Sequence, residues 1–257
     1  MGGILVEGAV QSELLPTQRI VIYDADSGRA GELGRMYGVG VAESVSGLVA
    51  GSDLVFLCVK PDQFPDVAGS VHSAWKSRKP VFVSIMAGVR VERIKKLLGV
   101  EAPVVRVMPN VACLIRQGVA GVAADPAAPE KINRFVFSLF EALGGAVSVA
   151  EEKLDAVTAL SGSGPAYVFM FIEALTDAGV KVGLDRASAR KLAVRTVAGA
   201  ALMAEQTGAN TLDLRARVSS PGGTTVAATS KLESAGFRSA VIEAVEAAYK
   251  RSLELGS

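Results

Sequence analysis

The chain has 257 residues and a mass of 26.5 kDa, room for one large domain or two smaller ones. Half of it is hydrophobic but only 5% is aromatic, so the core must come from Ala, Val, Leu and Ile, which suits close-packed helices and buried parallel strands. With 27 Lys and Arg against 26 Asp and Glu, no excess of positive charge exists for phosphate backbones or anionic lipid, and neither nucleic acid nor membrane is an expected partner.

Up to about residue 148, short β-branched runs alternate with amphipathic stretches. A helical stretch, Ile4 to Leu15, is followed by a strand at Arg19-Ile20-Val21-Ile22-Tyr23-Asp24 and a helix from Ser27 to Tyr37. Asp53 to Val59 reads as a fully apolar strand closed by Lys60-Pro61, then Asp62 to Trp75 as a helix. Pro80 to Ile85 and Pro103 to Met108 are further strands, with a helix between them at Val91 to Leu98. Near-continuous apolar strands alternating with helices imply a mostly parallel sheet covered on both faces, a doubly wound α/β domain.

After about Ala150 the strand-like runs stop. Leu192, Ala193, Val197, Ala200, Ala201 and Ala204 recur at the spacing of one buried helix face, with Asp185 as the cap before them and Gly208 as the stop. Phe237 to Leu255 reads as a last amphipathic helix. The chain therefore divides into residues 1–148, a dinucleotide-type sheet domain, and residues 149–257, an all-α domain whose small residues permit close contact between helices or between two copies.

Cys58 and Cys113 lie inside apolar runs with no CxxC spacing, so a zinc site or disulfide framework has nothing to build on and a reducing compartment is expected. His72 is the sole histidine and reads as a structural helix residue, which leaves histidine-dependent nucleophilic catalysis no other candidate. No apolar run approaches the ~20 residues that span a bilayer. Met1-Gly2-Gly3 is no signal peptide and no myristoylation signal, so a soluble cytoplasmic protein is expected.

Three stretches carry chemistry. A dinucleotide fold opens with a strand running into G-x-G-x-x-G and a helix whose N-terminus holds the pyrophosphate. Here Asp24 stands 22 residues after Gly2, close to the ~20-residue spacing of the ribose-binding acid, so Gly2 reads as the last glycine of that fingerprint, with the first strand apparently missing. That strand belongs at the centre of the sheet. The expectation is that either roughly ten residues precede Met1 or an altered sheet is tolerated. Val218-Ser219-Ser220-Pro221-Gly222-Gly223-Thr224-Thr225 opens an apolar helix and would present free backbone N–H groups to a carboxylate or phosphate. Leu160-Ser161-Gly162-Ser163-Gly164-Pro165-Ala166-Tyr167 places small residues and Pro165 at another helix start, where a tight interdomain corner would look the same.

Together with Val59-Lys60-Pro61, Ser84-Ile85-Met86-Ala87-Gly88-Val89 and Arg106-Val107-Met108-Pro109-Asn110, these stretches resemble pyrroline-5-carboxylate reductase, in the family's order and nearly end to end. The resemblance implies a Rossmann-like domain followed by a helical dimerisation domain. It also implies hydride transfer from NADPH, or NADH, to the C=N of 1-pyrroline-5-carboxylate, giving L-proline. By likeness, Ser220, Gly222, Gly223 and Thr224 would hold the substrate carboxylate. Thr225, the one catalytic side chain assigned, would bond the ring nitrogen, with Glu205 near it. Val59, Lys60, Pro61, Ala87, Gly88 and Asn110 would line the nicotinamide side of the cofactor, and Gly2, Asp24, Ser27 and Arg29 its adenosine side. Asp24 would favour NADH by repelling a 2′-phosphate, whereas Ser27 and Arg29 could receive one; the resemblance tips the choice to NADPH. No metal is implied. The expected partners are an imino-acid substrate and a second copy of the chain, as a homodimer or a ring of dimers.

The chain departs from the family pattern in four places: the absent first strand, Val111-Ala112 where Thr-Pro is usual, Val45 where an Asn is expected near the adenine, and Gly208 to Leu212 in place of a His-Pro stretch. Two alternatives therefore stand beside the reductase. One is a catalytically silent paralogue that binds or regulates. The other is a β-hydroxyacid-type dehydrogenase, for which Lys181 and Lys191 are present but sit in no matching motif.

Overall fold

The structure is a computed structural model and describes residues 1–256. By packing, the chain forms two compact units, one of Met1–Ser163 joined by the C-terminal stretch from Ala248, the other of Gly164–Ala247. The division falls later than the change of texture at residue 148, because the chain stays with the first unit until the corner before Gly164-Pro165.

In chain order the first unit contains α1 (Gly2–Gln11), β1 (Val21–Ile22), α2 (Ser27–Tyr37), β2 (Gly40–Val41), α3 (Val45–Gly51), β3 (Leu54–Leu57), α4 (Phe64–Arg78), β4 (Val81–Ser84), α5 (Val91–Leu98), β5 (Val104–Pro109), β6 (Ala120–Ala123), α6 (Glu130–Glu141), β7 (Ala146–Ser148) and α7 (Leu154–Val157). The first helix starts earlier than the sequence suggests, since the N–H groups of Ile4 and Leu5 close onto the Met1 carbonyl. It ends at Gln11, where the Ser12 hydroxyl bonds back to Gly8 and Glu13 turns to φ 53°. The strand expected from Arg19 to Asp24 shrinks to two residues. A 3-10 turn takes up Thr17–Arg19, and the Asp24 carboxylate accepts the Asp26 N–H to begin the next turn.

Strands β3 to β7 form one sheet in sequence order, parallel throughout except where β5 meets β6 antiparallel. Alternate residues of the central strands face opposite ways. Val81 and Val83 join Val105, Val107, Phe140 and Leu143 under α1 and α6, while Phe82 and Val104 join Phe64, Val71, Ile94 and Leu98 under α4 and α5. With both faces buried, near-continuous apolar strands are what such a sheet requires. His72 is part of this scaffold, its Nδ1 donating to the Leu98 carbonyl at 3.2 Å.

The sheet is divided. β1 pairs only with β2, as a separate parallel two-stranded ribbon, and the place that the doubly wound order gives to a first strand, between β1 and β3, holds no strand among the described residues.

The second unit is helical: α8 (Gly164–Lys181), α9 (Arg186–Thr207), α10 (Thr211–Arg217), α11 (Thr224–Ser234) and the first part of α12 (Phe237–Leu255). Asp185 caps α9 through the Ser188 N–H, and Gly208 ends it at φ 59°. Helices α8 and α9 approach closely, since a Cβ on Gly179 would stand 2.9 Å from the Ala189 Cβ. The face expected to be buried along α9 is not buried in a single copy: Ala193 is covered, but Leu192, Ala200 and Ala201 are exposed. Phe169, Met170 and Ile242 are exposed as well. Among the described residues no helix is long and apolar enough to cross a membrane.

Candidate active site

The residues predicted to hold a dinucleotide gather at the carboxyl ends of the first unit's parallel strands, where ligands of open α/β sheets bind. Gly2 is the first residue of α1, and a Cβ there would touch that of Cys58 at 3.4 Å, so the helix N-terminus stands beside the end of β3 and the Val59-Lys60-Pro61 turn that follows. Cys58 keeps an exposed face, yet the protein around it desolvates its thiol and holds the pKa up to about 11, against the weaker pull of the Met1 ammonium. Beyond β4, Ala87 is exposed, and Gly88 is buried at φ 74°, a conformation that strains any residue with a Cβ. Asn110 follows β5, and its carboxamide oxygen accepts the N–H groups of Ala112 and Val119. Its side chain thus shapes the loop after β5.

Past β1, the Asp24 carboxylate takes the Asp26 N–H at 3.0 Å, and Asp26 caps α2 by accepting the Arg29 N–H at 3.1 Å. Ser27 and Arg29 consequently lie in the first turn of α2, at the positive end of its dipole. Asp26 was not singled out from the sequence, although an Asp just before the first helical residue is an N-cap signal. The turn therefore carries two carboxylates and one guanidinium. These acceptors and the guanidinium fit a dinucleotide held at the ends of β1, β3 and β4, without a complete glycine fingerprint on the described residues.

The Thr158–Gly162 stretch is a single wide π turn, closed by the Ser163 N–H onto the Thr158 carbonyl at 2.8 Å. A Cβ on Gly162 would stand 2.7 Å from the Met108 Cε, so this stretch lies directly against Met108-Pro109-Asn110. Its hydroxyls look inward, with Thr158 and Ser161 donating to the carbonyls of Leu154 and Val157.

In the second unit, Val218 to Gly223 links α10 to α11. Gly222 has φ 68°, the Gly223 N–H closes onto the Ser220 carbonyl, and a Cβ on Gly223 would collide with the Ser220 hydroxyl. Glycine at both positions lets the chain fold back over the start of α11. Gly223 caps that helix without a side-chain hydrogen bond, so the first N–H groups, those of Thr224 and Thr225 among them, lack the capping oxygen that most helix starts provide. Ser220 is exposed and Thr225 half-buried at that end. Glu205 is exposed near the carboxyl end of α9, and among the described residues no hydrogen bond joins it to the loop. Among the described residues of the loop there is no carboxylate dyad and no histidine.

The same two-part plan appears in known proteins. Residues 151–255 match the family model for pyrroline-5-carboxylate reductase dimerisation, and residues 1–88 match the model for NADP oxidoreductase, coenzyme F420-dependent. A pyrroline-5-carboxylate reductase of Corynebacterium melassecola is 40% identical over 258 residues, covering 100% of this chain and 95% of that protein. The one from Escherichia coli is 36% identical over 255 residues, covering 99% and 93%. Among solved structures, a pyrroline-5-carboxylate reductase from Coxiella burnetii superposes with a TM-score of 0.93 at 32% identity, over 100% of this chain and 95% of that one. The Plasmodium falciparum pyrroline carboxylate reductase with NADP bound gives 0.86 at 29% identity, over the same shares of the two chains. Likeness of this extent over the whole chain shows that the chain belongs to the pyrroline-5-carboxylate reductase family.

Proposed function

We infer that this chain reduces the C=N bond of 1-pyrroline-5-carboxylate to give L-proline, with NADPH as the reductant. The observation that carries the reading is the Ser220–Thr225 loop, complete in sequence and folded as an uncapped helix start, in a chain that matches reductases over its whole length. NADPH, when bound, supplies the hydride that the imine carbon accepts. The protein's part is to bind, orient and exclude water, because a protonated imine is already electrophilic. The loop backbone at Gly222 and Gly223 and the free N–H groups of Thr224 and Thr225 hold the substrate carboxylate at the positive end of α11, and Ser220 adds its hydroxyl. The Thr225 hydroxyl bonds the ring nitrogen and holds the imine carbon in register, with Glu205 assigned near that nitrogen. Gly2, Asp24, Ser27, Arg29, Val59, Lys60, Pro61, Ala87, Gly88 and Asn110 form the cofactor side. The turn after β1 supports NADPH through Arg29 and the α2 N-terminus, while Asp24 and Asp26 keep NADH usable. We place the enzyme in the cytoplasm, in keeping with two unpaired cysteines.

The exposed apolar residues along α8, α9 and α12 support an isologous homodimer, alone or within a ring of dimers. Light scattering should give at least twice the 26.5 kDa of one chain, and a monomer at working concentration overturns this part.

The activity test is absorbance at 340 nm with pyrroline-5-carboxylate and NADPH or NADH. Substrate-dependent loss of signal is expected, and its absence rejects the assignment. Val111-Ala112, where the family pattern has Thr-Pro, favours a second reading, a silent paralogue. Nicotinamide fluorescence separates the two, since a silent paralogue fails to bind NADPH at micromolar concentration.

A further inference from the structure

The chain's C-terminal stretch returns to the first unit and ends against the loop between β4 and α5. At Gly88, a Cβ would stand 3.5 Å from the Leu255 carbonyl carbon and 3.6 Å from the Gly256 nitrogen; in reverse, a Cβ on Gly256 would press on the Gly88 carbonyl oxygen at 2.7 Å. Backbone therefore lies on backbone, and Gly88 is buried beneath it. Four residues before Gly256, the Ser252 hydroxyl donates to the Asp155 carboxylate at 2.6 Å, with the two residues only 5% and 7% exposed. This is a buried hydrogen bond between residues 97 positions apart, in the last turn of α12 and in α7. The last turn of a helix frays unless something ties it down. Here the tie is Ser252 to Asp155, and what the tied end covers is the left-handed turn at Gly88.

We propose that Ser252 and Asp155 are positioning residues for cofactor binding: they clamp the end of α12 onto Gly88 and so fix the Ala87–Gly88 turn in its binding conformation. The inference rests on the assignment of Ala87 and Gly88 to the nicotinamide side of the site. Neither Ser252 nor Asp155 touches cofactor or substrate in this account. With the hydroxyl gone, the end of α12 frays, the Gly88 turn samples other conformations, and NADPH must reorder it on binding. That cost falls on cofactor affinity, while the substrate loop in the second unit is untouched.

The test compares Ser252→Ala, Ser252→Thr and Ala87→Trp with the parent chain. Readouts are NADPH affinity by nicotinamide fluorescence, the KM values for NADPH and pyrroline-5-carboxylate, kcat, and the thermal midpoint. Ser252→Ala should weaken NADPH binding about fivefold, the scale of one ordinary hydrogen bond, and lower the thermal midpoint by a few degrees because buried Asp155 loses its partner, with kcat and the substrate KM near parental values. Ser252→Thr keeps the hydroxyl and should restore affinity. Ala87→Trp puts bulk where the nicotinamide is assigned and examines that assignment without touching the clamp. If Ala87→Trp abolishes NADPH binding while Ser252→Ala leaves it unchanged, the clamp is rejected and the site stands. If neither variant changes NADPH binding, the site assignment fails and the clamp with it. Weaker binding in Ser252→Ala that Ser252→Thr does not rescue, or that comes with an equal rise in the KM for pyrroline-5-carboxylate, makes the pair merely structural and also rejects the proposal.

Discussion

Replacing Glu151 by Ala removes the partner of a buried cation and examines how the first unit holds its loop before α5. Glu151 lies in the 3-10 turn after β7, and one carboxylate oxygen accepts both the Arg106 guanidinium at 3.0 Å and the N–H of Val91, the first residue of α5, at 2.7 Å. The Arg106 side chain is 6% exposed on central strand β5, whereas Glu151 is 31% exposed. Breaking a buried pair costs ~3–5 kcal/mol, mainly because the remaining charge is left without compensation. The partial exposure of Glu151 admits water and points to the lower end, about 3 kcal/mol, to which loss of the α5 cap adds about 1 kcal/mol. A chain of this size loses about 2–4 °C of Tm per kcal/mol, so the midpoint should fall by roughly 8–16 °C. Urea unfolding and calorimetry at matched protomer concentration measure both quantities. Glu130→Ala is the control, because its partner Arg134 is 74% exposed; it should cost no more than about 0.5 kcal/mol. The double variant Arg106→Met with Glu151→Leu removes both charges and should recover most of the loss. A loss under about 1 kcal/mol for Glu151→Ala, or a double variant no better than the single, refutes the view that burial of Arg106 makes this pair matter.

Thr225→Ala should lower kcat/KM for pyrroline-5-carboxylate roughly tenfold or more and leave NADPH affinity nearly unchanged; equal loss of cofactor binding would show that Thr225 acts elsewhere. Cys58, with its thiol held up to about 11, should alkylate with iodoacetamide at pH 8 roughly a hundredfold more slowly than an ordinary thiol, and faster as pH rises; labelling at the ordinary rate refutes the desolvation argument. The Asp185 cap works as a carboxylate held below the usual range by its hydrogen bonds to Ser188. Its stabilising share is present above pH ~4 and is lost as pH falls through the folded value. Asp185→Asn should therefore flatten the acid limb of the urea-unfolding profile, and an unchanged acid limb would remove the cap from the explanation.

Much of this architecture is written locally. The strands at Val81–Ser84 and Val104–Pro109 and the helices at Ser27–Tyr37 and Val91–Leu98 are legible because apolar periodicity and caps are set by neighbours in sequence. The glycine loop is legible for the same reason, since Gly222 and Gly223 are demanded by the fold of the loop itself. β1 is legible within the run Arg19–Asp24, although not its length of two residues, whereas its partner β2 and the short strands β6 and β7 are not legible, because only pairing with distant strands makes them strands. Asp26 could have been found from its cap position.

Tertiary structure alone decided the rest. Nothing in the sequence around Arg106 says that it is buried, because its partner Glu151 lies 45 residues away on another element. The texture of α9 promises a buried face, yet burial needs an opposing surface, and in a single copy only Ala193 of that face is buried. The boundary between the units and the return of the C-terminal stretch to Gly88 likewise depend on contacts between residues far apart in the chain. Local sequence determined which segments are helix, strand or anion-binding turn, since those choices are governed by short-range sterics and periodicity. Which of these segments meet, and which side chains are thereby cut off from water, only the folded chain could decide.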